Sequence, residues 1–242
     1  MLNPEHALIP FDVSDLPSGP WLVFAPHADD ETFGMGGSLL KAKDQSIETH
    51  VVVMTDGALG GQAENLVATR QREVDQAATL LGLSGLHFWL QPDRGLEPGK
   101  GLVDRAMALI QELSAAAVFF PGPLEIHPDH RVAALITWQA LQQCRSADFH
   151  PRIFSYEIGT QSPVNYLVDI TAVWATHEKV MAVYDSQNSE NNYLELVRAL
   201  NKGRTFSLDA SIEYAEGFYE FAPEDLQYTL QEMTHRLIDK YF

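Results

Sequence analysis

The stretch WLVFAPHADDETFGMGGSLL, residues 21–40, reads as one unit of an α/β fold: five apolar residues, an abrupt polar loop, glycines, then a helix-length segment. A short unbroken apolar run is expected of a strand covered on both faces, because a strand with one wet face alternates apolar and polar residues. The same signature recurs in HVVVM (50–54), HFWL (87–90) and AVFF (117–120). Between these runs lie GGSLLKAKDQ (36–45), NLVATRQREVDQAATLLGL (65–83) and LVDRAMALIQELSA (102–115); in the second, Val67, Val74, Ala78 and Leu81 recur at helical spacing. This alternation predicts a mostly parallel sheet with right-handed helical crossovers.

A fourth helix is expected at HPDHRVAALITWQALQQC (127–144), with Pro128 suited to a first helical turn and Asp129 to a positive helix N-terminus. RIFSYEI (152–158) and YLVDIT (166–171) read as further strands. ATHEKVMAVYDSQ (175–187), NYLELVRALNKG (192–203) and PEDLQYTLQEMTHRLIDKYF (223–242) read as helices. Segment 203–222 is the least regular and is expected to wrap the sheet. Neither repeats nor a linker interrupt the chain, and its 242 residues suit one domain spanning 1–242.

Sixteen basic against 33 acidic residues give a formal charge of −17, which repels nucleic acid and anionic membrane surfaces. Cys144 is the single cysteine, so neither an internal disulfide nor a thiolate metal cage can form. The N-terminal MLNPEHALIPFDVSDL lacks a basic head followed by an apolar stretch, and no apolar run approaches a membrane span of ~18 residues. A cytoplasmic protein is expected.

The polar loop sets His27, Asp29, Asp30 and Glu31 just past the end of the first strand, where open parallel sheets collect ligands. One aspartate there would serve as a helix cap. Three neighbouring carboxylates raise each other's pKa unless a positive charge sits among them, and a divalent cation is the economical answer. Histidine nitrogen and aspartate oxygen suit zinc, and His27 with Asp30 would supply one of each. A phosphate-binding turn is excluded: GMGG lacks the G-x-G-x-x-G spacing, and DGALGG (56–61) is followed by no Gly-Lys-Ser/Thr. Zinc needs another histidine at the end of another strand, and FFPGPLEIHPDHRVAA (119–134) offers His127 and His130, three apart on one side of a first helical turn.

PHADDE followed by HPDH, both after strands, resembles the PIG-L/LmbE-like family of zinc-dependent N-acetylglucosaminyl deacetylases, whose first motif reads (A/P)HPDDE; Ala28 stands in place of its proline. ATRQREVDQAATLLGL (68–83) is similar to the family's Arg-x-x-Glu helix, and QPD (91–93) to a loop bearing a substrate-binding aspartate. KVMAVYDSQ (179–187) is similar to its Lys…Ser-Gln segment, and YAEGF (214–218) to its Tyr-Ala-Glu-x-Phe.

The resemblance implies a Rossmann-like three-layer fold in which His27, Asp30 and His130 bind zinc, with iron(II) and cobalt(II) tolerated by the same set. It implies Asp29 as general base, His127 as the group that stabilises or protonates the tetrahedral intermediate, and Asp129 as the orienting partner of His127. Arg70 and Asp93 would hold sugar hydroxyls, whereas their ordinary readings are an exposed helix arginine paired with Glu73 or Asp75 and a turn residue. Glu31 reads as a cap or a support behind the ligands, and Glu125 could line the acyl pocket. The four tryptophans and His177 read as packing, Tyr156 and Glu157 as rim candidates by position alone, and Cys144 as a buried small apolar residue.

The expected substrate is a small amino-sugar conjugate carrying an N-acetyl group, and the sequence is compatible with a homo-oligomer. Two competitors remain: hydrolysis of a non-sugar amide, and a non-catalytic metal or sugar-binding module, the second disfavoured because a pure binder has no use for Asp29.

Overall fold

A computed structural model describes residues 2–61, 64–147 and 149–242. The chain runs β1 (Trp21–Ala25), α1 (Asp30–Asp44), β2 (Thr49–Thr55), α2 (Leu66–Leu81), β3 (Gly85–Gln91), α3 (Lys100–Glu112), β4 (Ala117–Pro121) and α4 (Pro128–Ser146). It continues through β5 (Arg152–Tyr156), β6 (Tyr166–Asp169), α5 (Trp174–Met181), α6 (Asp185–Asn188), α7 (Tyr193–Gly203), β7 (Ala215–Phe221) and α8 (Leu230–Asp239). One seven-stranded sheet has the order β3-β2-β1-β4-β5-β7-β6. Strands β3, β2, β1, β4 and β5 are parallel neighbours, and β7 lies antiparallel between β5 and β6.

Three of the four unbroken apolar runs have the cause expected of them, since every residue of β1, β2 and β4 is buried; HFWL does not, because β3 is an edge strand in which Trp89 alone is buried. Trp21, Val23 and Ala25 with Val51 and Val53 join one apolar layer, together with Leu39 of α1, Val74 of α2 and Val180 of α5. Leu22, Phe24, Val52 and Met54 point the other way, to Ala106 of α3, Ile136 and Leu141 of α4 and Met233 of α8. Helices on both faces of the sheet make three layers.

Segment 203–222 departs from expectation. Its second part is β7, a member of the sheet rather than a wrapping around it. AEGFYEF has no continuous apolar run because two of its acids are taken by particular partners. Glu216 accepts hydrogen bonds from the Gly37 and Ser38 backbone at 2.7 and 2.8 Å, and Glu220 accepts from Arg152 Nε at 2.7 Å.

Helix α1 starts at Asp30, six residues ahead of the glycine pair, and breaks its regular geometry at Met35 (φ −152°, ψ 24°). The break frees the N–H groups of Gly37 and Ser38, and Glu216 caps them. The glycines are needed for approach: a Cβ on Gly34 would lie 2.4 Å from the Tyr156 ring, and one on Gly36 would lie 2.5 Å from His177 Nε2. This tight seating presses the first turn of α1, and the loop before it, against the ends of β1 and β5.

Candidate functional site

Loops at the carboxyl ends of β1, β2, β3, β4 and β5 enclose a cleft of about 430 Å³, the position expected for a ligand in an open parallel sheet. Pro26 anchors the first loop, its carbonyl accepting from Thr55 N and Thr55 Oγ1, each at 2.9 Å. The chain then turns through Asp29 at φ 146°, ψ −30°. Thr32 N and Phe33 N donate to Asp29 O at 2.9 and 2.8 Å, and Asp29 N donates to Glu31 Oε2 at 3.2 Å. Glu31 is fixed in turn by Thr32 Oγ1 at 2.7 Å and by the Tyr184 hydroxyl.

Asp30 is the centre of the cluster. Its Oδ2 accepts from His27 N at 2.8 Å and lies 3.0 Å from His27 Nδ1 and 3.3 Å from His130 Nε2. All three residues are buried. His127, the residue before α4, packs edge-on to His27 with ring centroids 4.7 Å apart, and 5.1 Å from His130. One ring nitrogen from each of His27, His127 and His130 falls within 4.8 Å of the others, as do ligand atoms of His27, Asp93, His127 and Asp129.

The acid and histidine charges are strongly biased by these contacts. Burial opposes charge on His27, yet hydrogen bonds to Asp129, Asp30 and Asp93 hold it protonated well above its ordinary range. His130 is likewise pushed up to about 9, because Asp30 and Glu125 outweigh burial. Burial works against ionised Asp30 as well, but His130 and His27 hold its carboxyl well below the usual range. Two imidazolium protons thus offset part of the acids' charge, and a divalent cation supplies the same charge by displacing them. The donor set of imidazole and carboxylate is the one zinc takes. Ligands on a tetrahedral zinc at ~2.0–2.1 Å stand about 3.3 Å apart, which the 3.0 and 3.3 Å contacts of Asp30 Oδ2 approach. The residues therefore fit a divalent metal.

Asp29, beside the cluster, lines the cleft. Burial pushes its carboxyl up to about 7, against the pull of Arg70. Arg70 is buried rather than exposed, and its contacts are not Glu73 or Asp75: it donates to Asp29 Oδ2 at 3.2 Å, Ala28 O at 3.1 Å and Gly57 O at 3.3 Å. Asp93 is equally engaged, with Leu59 N donating to its Oδ2 at 2.9 Å and His27 Nε2 3.4 Å from its Oδ1. Both residues line the cleft.

Asp129 differs from expectation. Its carboxylate faces His27 Nε2 at 3.2 Å and accepts from Arg94 N at 2.7 Å, so it orients His27 and the 94–96 turn. His127 Nδ1 instead accepts the backbone N–H of Asp129 at 3.2 Å. Burial and the charges of His27 and His130 lower the pKa of His127, so its ring is neutral near pH 7. With Nδ1 occupied as an acceptor, its proton sits on Nε2 and can be donated.

Glu157 belongs to a buried ion pair with Arg204, Tyr156 donates to Phe24 O at 2.9 Å, and His177 packs against Thr32 O at 2.8 Å. None of these three lines the cleft, nor does a tryptophan; its aromatic wall is Phe33 stacked on Tyr193 at 5.1 Å. Gln187, Glu190, Asn191 and Tyr193, from the stretch QNSENNY, also line it. Sequence reasoning missed the last three: Glu190 and Asn191 showed only as a polar gap between two helices, and Tyr193 reads simply as the start of one.

Residues 22–141 match the family model described as PIG-L: GlcNAc-PI de-N-acetylase. The chain is 26% identical over 189 residues to a diacetylchitobiose deacetylase of Thermococcus kodakarensis, covering 70% of each protein. It is 29% identical over 154 residues to a probable N-acetyl-alpha-D-glucosaminyl L-malate deacetylase 2 of Bacillus anthracis, covering 58% of this chain and 61% of that one. Among solved structures, the N,N'-diacetylchitobiose deacetylase of Pyrococcus horikoshii superposes with a TM-score of 0.76 at 25% identity, covering 84% of each chain.

Proposed function

Because this chain belongs to the PIG-L family of GlcNAc-PI de-N-acetylases, we propose that it is a metal-dependent hydrolase that removes the N-acetyl group of a small amino-sugar conjugate. Residues 1–242 would form one catalytic unit, with the cytoplasm as compartment. One observation carries the reading: Asp30 Oδ2 joins a nitrogen of His27 and of His130 at 3.0 and 3.3 Å, while Asp29, next in the chain, is left facing the cleft. A pure binding module would not need that second carboxylate.

In this reading His27, Asp30 and His130 hold zinc. When bound, zinc supplies a water whose pKa falls from 15.7 toward ~7 and a Lewis acid for the amide carbonyl. Asp29 takes the proton of the attacking water, and Arg70 at 3.2 Å keeps its carboxylate aimed. His127 Nε2–H donates to the carbonyl oxygen as it gains negative charge, a contact of a kind worth about 2.7–4 kcal/mol. Since His127 is neutral near pH 7, Asp29 is the better source of the proton that the leaving amine needs. Asp93 and the polar rim residues Glu190 and Asn191 offer acceptors and donors to sugar hydroxyls.

The test measures metal content and acetate release together, on zinc-loaded wild type and Asp29→Ala, with N-acetylglucosamine conjugates and N-acetyl amino acids as substrates. Acetate from the sugars alone, lost in the variant while zinc stays bound, is expected. Acetate from the amino acids only would replace the sugar reading. No bound metal after loading would end the whole assignment.

A further inference from the structure

We propose that Glu125 is a positioning residue for the metal ligand His130, tying that ligand to the cleft wall formed by residues 158–160; this rests on the metal-dependent reading above. Glu125 is 3% exposed and stands two residues before His127. Its carboxylate gathers the backbone of the loop after β5: Oε1 accepts from Ile158 N at 2.8 Å, Gly159 N at 3.2 Å and Thr160 N at 3.4 Å, and Oε2 accepts from Gly159 N at 3.2 Å. The same Oε2 lies 3.6 Å from His130 Nδ1.

That last contact gives Glu125 a task beyond holding a loop. His130 turns Nε2 toward Asp30, so a ligand role uses Nε2 and leaves the proton on Nδ1. Nδ1 is buried and has no hydrogen-bond partner, and the carboxylate facing it is that of Glu125. At 3.6 Å the contact is electrostatic rather than a hydrogen bond. It nevertheless opposes a full negative charge to the ring edge that carries the proton, which fixes the tautomer and makes the opposite nitrogen a better donor to a metal. A glutamine could satisfy part of the loop but could not serve both neighbours. The amide NH2 of a glutamine would meet either the loop N–H groups or the His130 N–H, donor against donor.

A loop-holding role and a ligand-positioning role part company in a measurement made without substrate. Zinc affinity of the full chain is read by competition with a chromogenic chelator for wild type, Glu125→Gln and Glu125→Asp. Glu125→Gln is expected to bind zinc 10- to 100-fold more weakly, and Glu125→Asp, which keeps the charge but shortens its reach, to fall between. Binding by Glu125→Gln within twofold of wild type overturns the inference alone. A wild type that binds no zinc overturns it together with the proposed function. Should Glu125→Gln fail to fold by circular dichroism, the readout is the Nδ1 proton of His130 by NMR in zinc-loaded wild type and Glu125→Asp. It is expected to be protected from solvent exchange in wild type and faster in the variant; equal exchange overturns the inference.

Discussion

Asp29 occupies a backbone conformation, φ 146° and ψ −30°, that glycine adopts freely and that costs another residue about 1–3 kcal/mol. Thr32 N, Phe33 N and Glu31 Oε2 hold it there, so the first turn of α1 and a buried acid impose the geometry that points the side chain into the cleft. Replacing Asp29 by Ala or Asn is expected to lower acetate release by at least ~10²-fold with zinc retained. Asp29→Gly, equally inactive, should be about 1–3 kcal/mol more stable to urea than Asp29→Ala; equal midpoints would mean the backbone there is unstrained. The proton-handling role of Asp29 is what the family resemblance implies, but nothing in the letters foretold its strain. Nor was the Arg70 contact legible, because it joins Asp29 to a helix residue 41 positions away that reads as a solvent-facing arginine.

Within the elements, segments with weak motifs turn out to touch one another. Glu73 of α2 accepts from Ser186 N at 2.9 Å and Ser186 Oγ at 2.6 Å, and Gln187 donates to Gly60 O at 3.3 Å. Glu216 of β7 caps the second half of α1. Short polar patterns far apart in the chain looked dispensable singly because their partners were invisible; the sheet brings them together. The continuous strands could be read because burial on both faces leaves one composition only, whereas β7 mixes its apolar residues with acids that have private partners. Burial pushes Glu216 from its ordinary 4.5 up to about 7. Between those values the folded chain binds more protons than the unfolded one, so this group's contribution to stability is complete below pH 4.5 and is lost as pH rises through 7. Glu216→Gln cannot titrate. Wild-type stability measured relative to it is expected to fall by about 3 kcal/mol from pH 4.5 to 7, and a flat difference would refute the shift. Glu216→Ala leaves two buried N–H groups bare and should cost a further ~1–3 kcal/mol for each.

For the whole molecule, six buried carboxylates from the segments that follow β1, β3 and β4, Asp29, Asp30, Glu31, Asp93, Glu125 and Asp129, converge in a chain already carrying a formal charge of −17. A cation that binds only the folded state stabilises it by about 2.7 kcal/mol at a hundred times its Kd, or roughly 5–10 °C in Tm for a chain of this size. Thermal melts with zinc and with a chelator are expected to differ by that much, and coincident curves would argue against a metal in the cluster. The mostly parallel sheet with helical crossovers was legible from its apolar runs, and the cluster from its chemistry; the Asp129–His27 pairing and the rim at 190–193 were not, because they depend on how separate loops fold over one another. That division has a use in laboratory evolution. Substitutions at Gly34 and Gly36 of α1 collide with Tyr156 and His177, so libraries at those positions will be lost to misfolding. Leu59 and Ile126, 57% and 79% exposed at the mouth of the cleft, tolerate diversity and are where a change of acceptor specificity should be sought.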